Sequence, residues 1–269
     1  MKTIIFYFSG TGNSLAVAKG LAKELGECKL ISMSKSLKSQ EFNFESKKLG
    51  FIFPNYFGKV PKLVNRFIEK VNIKDVKYVF SLVTAGGITG VVFRHLNSIL
   101  QKKNWNINLY SGIVLPGNYI IAFYYAMTNG NEKEKDNMFA HAKIKIKKLA
   151  DIINNDKNSI ENSDNPFMAA ITGLFNIPNN LSKIEIWDKN YNVDEKCNSC
   201  EICVKICPVS NIQLIEKRPH WQNNCQMCMA CIQNCPQQAI QYKNQTREKL
   251  RYRHPEVTVN ELINGPQLK

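Results

Sequence analysis

Eight of the nine cysteines in this 269-residue chain lie in two runs that have the same spacing. Each run reads Cys-x₂-Cys-x₂-Cys-x₃-Cys-Pro, over residues 197–208 and again over residues 225–236. Thiolates at these intervals are the usual ligands of cubane iron–sulfur clusters, and the fourth cysteine of each run binds the cluster of the other run. The pattern therefore predicts two [4Fe-4S] clusters with crossed ligands.

This crossing defines two groups of four cysteines. The first cysteine set is Cys197, Cys200, Cys203 and Cys235, and the second cysteine set is Cys225, Cys228, Cys231 and Cys207. Zinc is the main alternative, but structural zinc usually takes its ligands from paired Cys-x₂-Cys units. A disulfide framework is typical of secreted chains, and we see no signal peptide here. The ninth cysteine, Cys28, stands apart and is predicted to be a buried core thiol.

A second constellation follows the β-branched and aromatic run at residues 3–8. The N-terminal loop (residues 9–14) reads Ser-Gly-Thr-Gly-Asn-Ser and precedes a helical pattern at residues 15–25. A small-residue loop between a strand and a helix N-terminus binds anions, because backbone N–H groups converge there. A dinucleotide fingerprint would need a third glycine where Leu15 stands, and a triphosphate loop would need Gly-Lys-Ser/Thr. A tight turn that binds nothing remains an alternative.

The Ser-x-Thr-Gly-x-Ser pattern of this loop resembles the phosphate loop of flavodoxins, which hold FMN. That resemblance implies that the FMN phosphate is bound by Ser9, Thr11, Gly12, Asn13 and Ser14. Two later loops look like the flavin-edge loops of the same family. The resemblance assigns to them Pro54, Asn55, Tyr56, Phe57, Gly58, Thr84, Ala85, Gly86 and Gly87, with Tyr119 as a cover.

The aromatic residues of these loops could stack on a flavin ring. Tyr56 and Phe57 are the candidates, and core packing is the alternative for both, as it is for Tyr119. Many flavodoxins carry an aromatic residue where this chain has Ala85. The second face of the flavin would then be open to a cluster, a substrate or another segment of the chain.

Alternating strand and helix patterns predict an α/β fold with a doubly wound, flavodoxin-like parallel sheet of five strands. Residues 34–46 are predicted to be an exposed loop, residues 131–155 the last helix of the sheet domain, and residues 165–178 a short helix between domains. We divide the chain into a flavodoxin-like FMN-binding domain at 1–155, a linker and interdomain segment at 156–189, a small α+β bacterial-type ferredoxin domain at 190–243 and a basic C-terminal tail at 244–269.

The net charge of the chain limits the classes of partner that it could bind. The net charge is +14 and the pI is near 9.3, which fits nucleic acid, a membrane surface or an acidic protein partner. We find neither interleaved aromatics nor a known motif for nucleic acid. The basic run at residues 143–148 is either a solvated helix face or a docking face. No apolar stretch is long enough to span a bilayer, so we expect a cytoplasmic protein.

Taken together, the two halves resemble the flavodoxin–ferredoxin fusion proteins of anaerobic bacteria. The resemblance implies electron transfer between two [4Fe-4S] clusters and FMN, and to or from an acidic redox partner such as a ferredoxin, flavodoxin or reductase. The alternative is an FMN-dependent reductase that acts directly on a quinone, nitro compound or metal complex. A metal-binding module without redox activity is a third hypothesis. Whether the chain is an enzyme stays open among these. We expect the first cysteine set, which begins nearest the linker, to face the flavin.

Overall fold

A parallel sheet of six strands forms the N-terminal half in a computed structural model that describes residues 3–87, 92–122, 125–161 and 187–267. Its elements are β1 (Thr3–Tyr7), α1 (Asn13–Leu25), β2 (Cys28–Ser32), α2 (Met33–Ser39), β3 (Asn43–Glu45), β4 (Lys48–Pro54), α3 (Lys62–Lys70), β5 (Asn72–Lys74), β6 (Tyr78–Ala85), α4 (Val92–Gln101), β7 (Ile107–Val114), α5 (Tyr125–Asn129), α6 (Glu132–Asn154) and β8 (Ser159–Ile160).

The sheet order is β2-β1-β4-β6-β7-β8, and every neighbouring pair is parallel. Its first five strands follow the 2-1-3-4-5 order of flavodoxin-like doubly wound sheets, with β3 and β5 forming a separate pair. The predicted α/β class with a flavodoxin-like, doubly wound parallel sheet is therefore confirmed, with six strands instead of five, and the ferredoxin domain stays a prediction.

Both faces of the sheet are covered, which explains the continuous apolar runs of its strands. All five residues of β1 are buried. On one face Phe6 packs with Phe67 of α3. On the other face Ile5 lies in a cluster with Leu21 of α1 and Ile146 of α6. None of the helices in the described ranges is long and apolar enough to cross a membrane.

Two local predictions were wrong. The sheet has a sixth strand, β8, whose Ser159 and Ile160 pair with β7 inside the segment that we predicted to be a linker. The predicted loop at 34–46 instead contains most of α2, where the Ser32 hydroxyl accepts a hydrogen bond from Lys35 N, and β3, which pairs with β5. A two-residue edge strand and a Ser/Lys-rich helical turn carry too little apolar periodicity to be read from sequence. The predicted interdomain helix at 165–178 lies outside the described residues.

The C-terminal half surrounds the cysteine runs with short elements. These are β9 (Tyr191–Val193), α7 (Ile202–Ile206), β10 (Ile212–Ile215), β11 (Arg218–Trp221), α8 (Ala230–Gln233), β12 (Ile240–Tyr242) and α9 (Val259–Asn264). Strands β10 and β11 form an antiparallel hairpin, and β12 pairs antiparallel with β9. Helix α7 contains Cys203 and helix α8 contains Cys231, which are the third cysteines of the two runs. These helices therefore fix the positions of both cysteines.

The C-terminal segment at residues 250–264 returns to the N-terminal half and packs against it. The Tyr252 hydroxyl donates to Asn13 Oδ1 over 2.5 Å, and His254 N donates to Thr11 O over 2.9 Å. Val257 is buried in the same cluster as α1 and α6. The basic end of the chain is thus part of the core structure around the N-terminal loop.

Because the C-terminal segment buries His254, we predict that the free energy of unfolding depends on pH through this residue. The side chain is 5% exposed, and burial lowers its pKa to about 4 against the opposing charge of Glu256. The unfolded chain takes up this proton near pH 6.5, whereas the folded chain takes it up only near pH 4. The free energy of unfolding therefore decreases by about 3 kcal/mol as the pH falls from about 6.5 to about 4, because the folded state holds the imidazole neutral.

Thermal midpoints measured between pH 4.5 and pH 7 test this. The wild type should lose several degrees more than His254→Gln, which has no imidazole to protonate. His141→Gln, at an exposed position on α6, is the matched control and should follow the wild type. Equal pH dependence in wild type and His254→Gln would show that His254 is not buried as described.

Candidate functional site

The N-terminal loop joins β1 to α1 through a left-handed residue. Gly12 has a φ of 103°, a conformation that residues with a Cβ rarely adopt. Its N–H donates to Ser9 Oγ over 3.1 Å. The hydroxyls of Ser14 and Thr84 are 2.7 Å apart, which fixes the start of α1 against the end of β6. The loop is thereby held at the carboxyl edge of the sheet.

A cavity of ≈ 360 Å³, adjoining solvent included, opens at this edge beside the switch point between β1 and β4. It is lined by Ser9, Gly10, Thr11, Asn13, Ser14, Pro54, Asn55, Thr84, Ala85, Gly86, Pro116, Gly117 and Asn118. Nine of the predicted FMN residues are in that lining, which holds no acidic side chain. The residues present therefore fit an anionic, phosphate-bearing ligand. The predicted residues outside the lining are Gly12, Tyr56, Phe57, Gly58, Gly87 and Tyr119.

Tyr56 directly follows Asn55 of the cavity lining and lies near two cysteines of the second set. Its ring meets Phe8 edge-on, with centroids 6.2 Å apart, and its hydroxyl is buried without a hydrogen-bond partner among the described residues. Burial raises its pKa well above the usual range, and the nearby Cys228 and Cys225 raise it further. The phenol end of Tyr56 thus faces the second cysteine set, and flavin stacking by Tyr56 stays a prediction.

Phe57 and Tyr119 form an edge-to-face pair with centroids 5.1 Å apart. Both pack against the apolar cluster of the C-terminal half, which contains Met227 and Ile232. These two rings therefore help to seat the cysteine-bearing half on the sheet. Their predicted role as flavin contacts stays a prediction.

The four cysteines of the first set line one cavity of ≈ 350 Å³, adjoining solvent included. Burial, together with neighbouring Cys235, raises the pKa of the Cys203 thiol to about 11. Ala239 N donates to Cys235 Sγ over 3.3 Å. Cys200 is exposed, so this set lies close to the protein surface.

The four cysteines of the second set line another cavity, of ≈ 310 Å³ with adjoining solvent, and all four are buried. Backbone N–H groups donate over 3.2 Å to two of the sulfurs, from Asn211 to Cys207 and from Met227 to Cys225. Burial also raises the pKa of Cys228, to about 12, with Cys207 adding to the rise. The second set is thus the deeper of the two.

Each of the two cavities gathers four cysteine side chains around one space. Within the ranges that the structure describes, no three His, Cys, Asp or Glu side chains converge as they would on one metal ion. A cubane binds its four thiolates through four different irons, so they stand apart around a shared space. Two spaces, each lined by four cysteines and supplied with N–H donors to sulfur, fit that requirement. That these cysteines bind [4Fe-4S] clusters stays a prediction.

The second cysteine set, not the first, lies against the N-terminal loop, which contradicts our expectation. A Cβ placed on Gly10 would overlap the carbonyl oxygen of Cys228. Nearby, Leu63 N donates to Gln226 Oε1 over 3.1 Å. The prediction relied on the fact that the first cysteine set begins nearest the linker in sequence. In the structure, the C-terminal half instead contacts the N-terminal loop through its second cysteine run.

Residues that the sequence analysis did not assign to the site complete its surroundings. Gln233 Nε2 donates to Asn118 O over 2.7 Å, and Tyr252 and His254 cover the N-terminal loop. One signal could have revealed the return of the chain. Thr258 and Glu261 form a capping box at the start of α9, and this Thr-x-x-Glu spacing is recognisable in sequence.

Cys28, predicted to be a buried thiol, is half-buried on β2. Burial raises its pKa to about 12, so the thiol stays protonated near neutral pH. It takes no part in either cysteine set.

No protein-family model and no curated protein matches the chain. An FMN-dependent NADH-azoreductase from Bacillus anthracis, in complex with FMN, aligns at 10% identity and a TM-score of 0.39 over 57% of this chain and 100% of its own. The NAD(P)H:quinone oxidoreductase from Methanothermobacter marburgensis aligns at 12% identity and a TM-score of 0.36, over 55% and 96%. A flavodoxin from the domain Archaea aligns at 13% identity and a TM-score of 0.32, over 56% and 99%. At these scores the likeness carries no argument, and the strand order alone assigns the fold.

We predict that Gly10→Ala destabilises the protein by about 1–3 kcal/mol, because the new methyl group overpacks against the Cys228 backbone. Gly20→Ala on α1 is the matched control. Its Cβ would meet Ile146 Cδ1 at an ordinary 3.5 Å, so alanine should keep or raise stability through its helix propensity. Urea unfolding measures both. Equal stability of the two variants would exclude the contact between the N-terminal loop and Cys228.

Proposed function

We propose that this chain is a flavin-dependent oxidoreductase in which electrons pass between bound FMN and two [4Fe-4S] clusters. The contact between Gly10 and Cys228 is the observation that supports this most, because it brings the cavity at the N-terminal loop against the second cysteine set. In such proteins the cofactors supply the redox chemistry, and the protein supplies their position and environment.

On the flavin side, FMN would supply one- and two-electron chemistry when bound. The hydroxyls of Ser9, Thr11 and Ser14 and the first N–H groups of α1 would hold its phosphate, since a helix N-terminus favours an anion. The backbone at Ala85 and Gly86 would border the ring, because both residues line the same cavity.

On the cluster side, each cysteine set would hold one cluster as thiolates. The thiol pKa values raised by burial mean that cluster binding releases protons. The N–H groups that donate to Cys207, Cys225 and Cys235 would stabilise the bound sulfurs and tune the potentials. We further propose a cytoplasmic location, where reducing conditions keep the thiols free for iron, and an acidic redox partner, given the net charge of +14.

A second candidate is direct reduction of a small acceptor, such as a quinone or nitro compound, at the flavin. Two of the flavoproteins compared above are named as an azoreductase and a quinone oxidoreductase. In this chain the specific support is Ala85, a small half-buried residue of the cavity lining that leaves room beside a ring. Steady turnover with small acceptors but not with an acidic ferredoxin would favour this candidate over the electron carrier.

We predict that protein purified without oxygen contains about eight irons, eight sulfides and one FMN per chain. Iron and sulfide are measured chemically, and FMN is measured by its fluorescence after release. Zinc in place of iron would overturn the cluster assignment. Full iron content without flavin would overturn the assignment of the N-terminal loop.

We predict that paired cysteine variants reveal the crossed ligand sets. Cys207→Ala with Cys225→Ala removes two ligands of the second set, and should cost about four irons and one cluster signal in EPR spectra. The double variant Cys207→Ala with Cys203→Ala removes two cysteines that are neighbours in one run but belong to different sets. It should therefore weaken the EPR signals of both clusters. Cys28→Ala should leave the iron content unchanged. The reverse pattern for the two pairs would mean that each run binds its own cluster.

A further inference from the structure

A further cavity in the described part of the chain lies between α2, α7 and α9, next to the second cysteine set. With adjoining solvent its volume is ≈ 1380 Å³, compared with ≈ 360 Å³ at the N-terminal loop. The buried side chains of Tyr7 and Ile206 form part of its wall. We call it the lysine groove, after the residues Lys29, Lys35, Lys38 and Lys205 that line it.

Three of the four lysines of the groove carry charge that the described part of the protein does not neutralise, whereas Lys205 pairs with Glu201 over 3.2 Å. Glu41 is the one carboxylate in its lining among the described residues. Lys29, Lys35 and Lys38 are exposed, and none of them forms an ion pair within the ranges that the structure describes. Four serine hydroxyls add hydrogen-bonding capacity: Ser32, Ser34, Ser36 and Ser39. A concave surface of one charge sign attracts and orients carboxylates.

The lysine groove also reaches the second cysteine set. Cys207 and Pro208 are part of its lining. Lys38 Nζ donates to the carbonyl oxygen of Cys207 over 2.7 Å. Lys35 Nζ donates in turn to Asn264 O over 2.7 Å, so the ammonium groups are held at the groove rather than dispersed in solvent. A ligand in the groove would therefore lie next to Cys207, which is a predicted cluster ligand.

We propose that the lysine groove docks an acidic loop of a partner redox protein and is the place where that partner exchanges electrons with the second cysteine set. This inference rests on the proposed function. Each encounter would move one electron between iron at the second cysteine set and the metal centre of the partner. One centre is oxidised as the other is reduced, and no bond forms or breaks.

Two other surfaces fit an acidic partner less well. The exposed Cys200 of the first set is followed by Glu201, and Glu195 and Lys196 precede that set, so the charges there are mixed. In the basic run of α6, two of the four lysines are already paired, Lys143 with Glu256 at 2.6 Å and Lys145 with Glu161 at 2.7 Å.

Electron exchange after rapid mixing tests the proposal. The complete, iron-loaded protein is reduced with dithionite and mixed with an oxidised acidic plant-type [2Fe–2S] ferredoxin or with methyl viologen, which is a cation. Lys29→Glu with Lys35→Glu should slow exchange with the ferredoxin about tenfold at low salt, and the difference should shrink as salt rises. The same variant should exchange with methyl viologen at least as fast as the wild type.

Lys147→Glu with Lys148→Glu, at exposed positions of α6, makes the same charge change elsewhere and should leave the ferredoxin rate within about twofold of wild type. If both double variants slow the ferredoxin equally, or neither slows it, the groove is not the docking surface. Iron content and EPR spectra are recorded on the same samples. Missing clusters would instead refute the proposed function on which this inference rests.

Discussion

The backbone carbonyl of Cys228 lies so close to Gly10 that no side chain fits between them. The proposed electron transfer between the two halves depends on this contact. It joins the carboxyl edge of a parallel sheet, where ligands of doubly wound folds bind, to the more deeply buried set of cysteines. The lysine groove exists because the same docking brings α7 beside α2. In the proposed function the two halves therefore act as one redox unit.

Polar contacts around that point specify the docking as much as apolar packing does. Gln226 accepts from the backbone of α3, and Gln233 donates to the backbone after β7. Tyr56 is an exception, because its hydroxyl is buried without a hydrogen-bond partner among the described residues. A buried unsatisfied group costs about 1–3 kcal/mol. The second cysteine set lies near this hydroxyl, so a group held by those cysteines would offset part of that cost.

The sequence was most informative where spacing alone encodes structure. The cysteine runs separate into their two groups, and residues 9–14 form a strand-to-helix loop, because both patterns are local. Contacts between distant parts of the chain were not readable. Ser159 and Ile160 join the sheet only because β7 offers them a free edge. Which cysteine set meets Gly10 depends on how two surfaces fit, and no local pattern records that. The packing of Tyr252 and His254 on the N-terminal loop was not predicted, because this segment was interpreted from its basic charge and not from the capping box that begins α9.

The packing of the C-terminal segment on the N-terminal loop can form only late in synthesis of the chain. Domains generally fold as they leave the ribosome, with the N-terminal part first. The sheet can therefore form while Thr11 and Asn13 are still uncovered, since their partners His254 and Tyr252 are synthesised about 240 residues later. During that interval the N-terminal loop is open to solvent on the side that the finished chain closes. The order of synthesis thus provides an early opportunity for a phosphate-bearing cofactor to enter before the C-terminal segment settles over the loop.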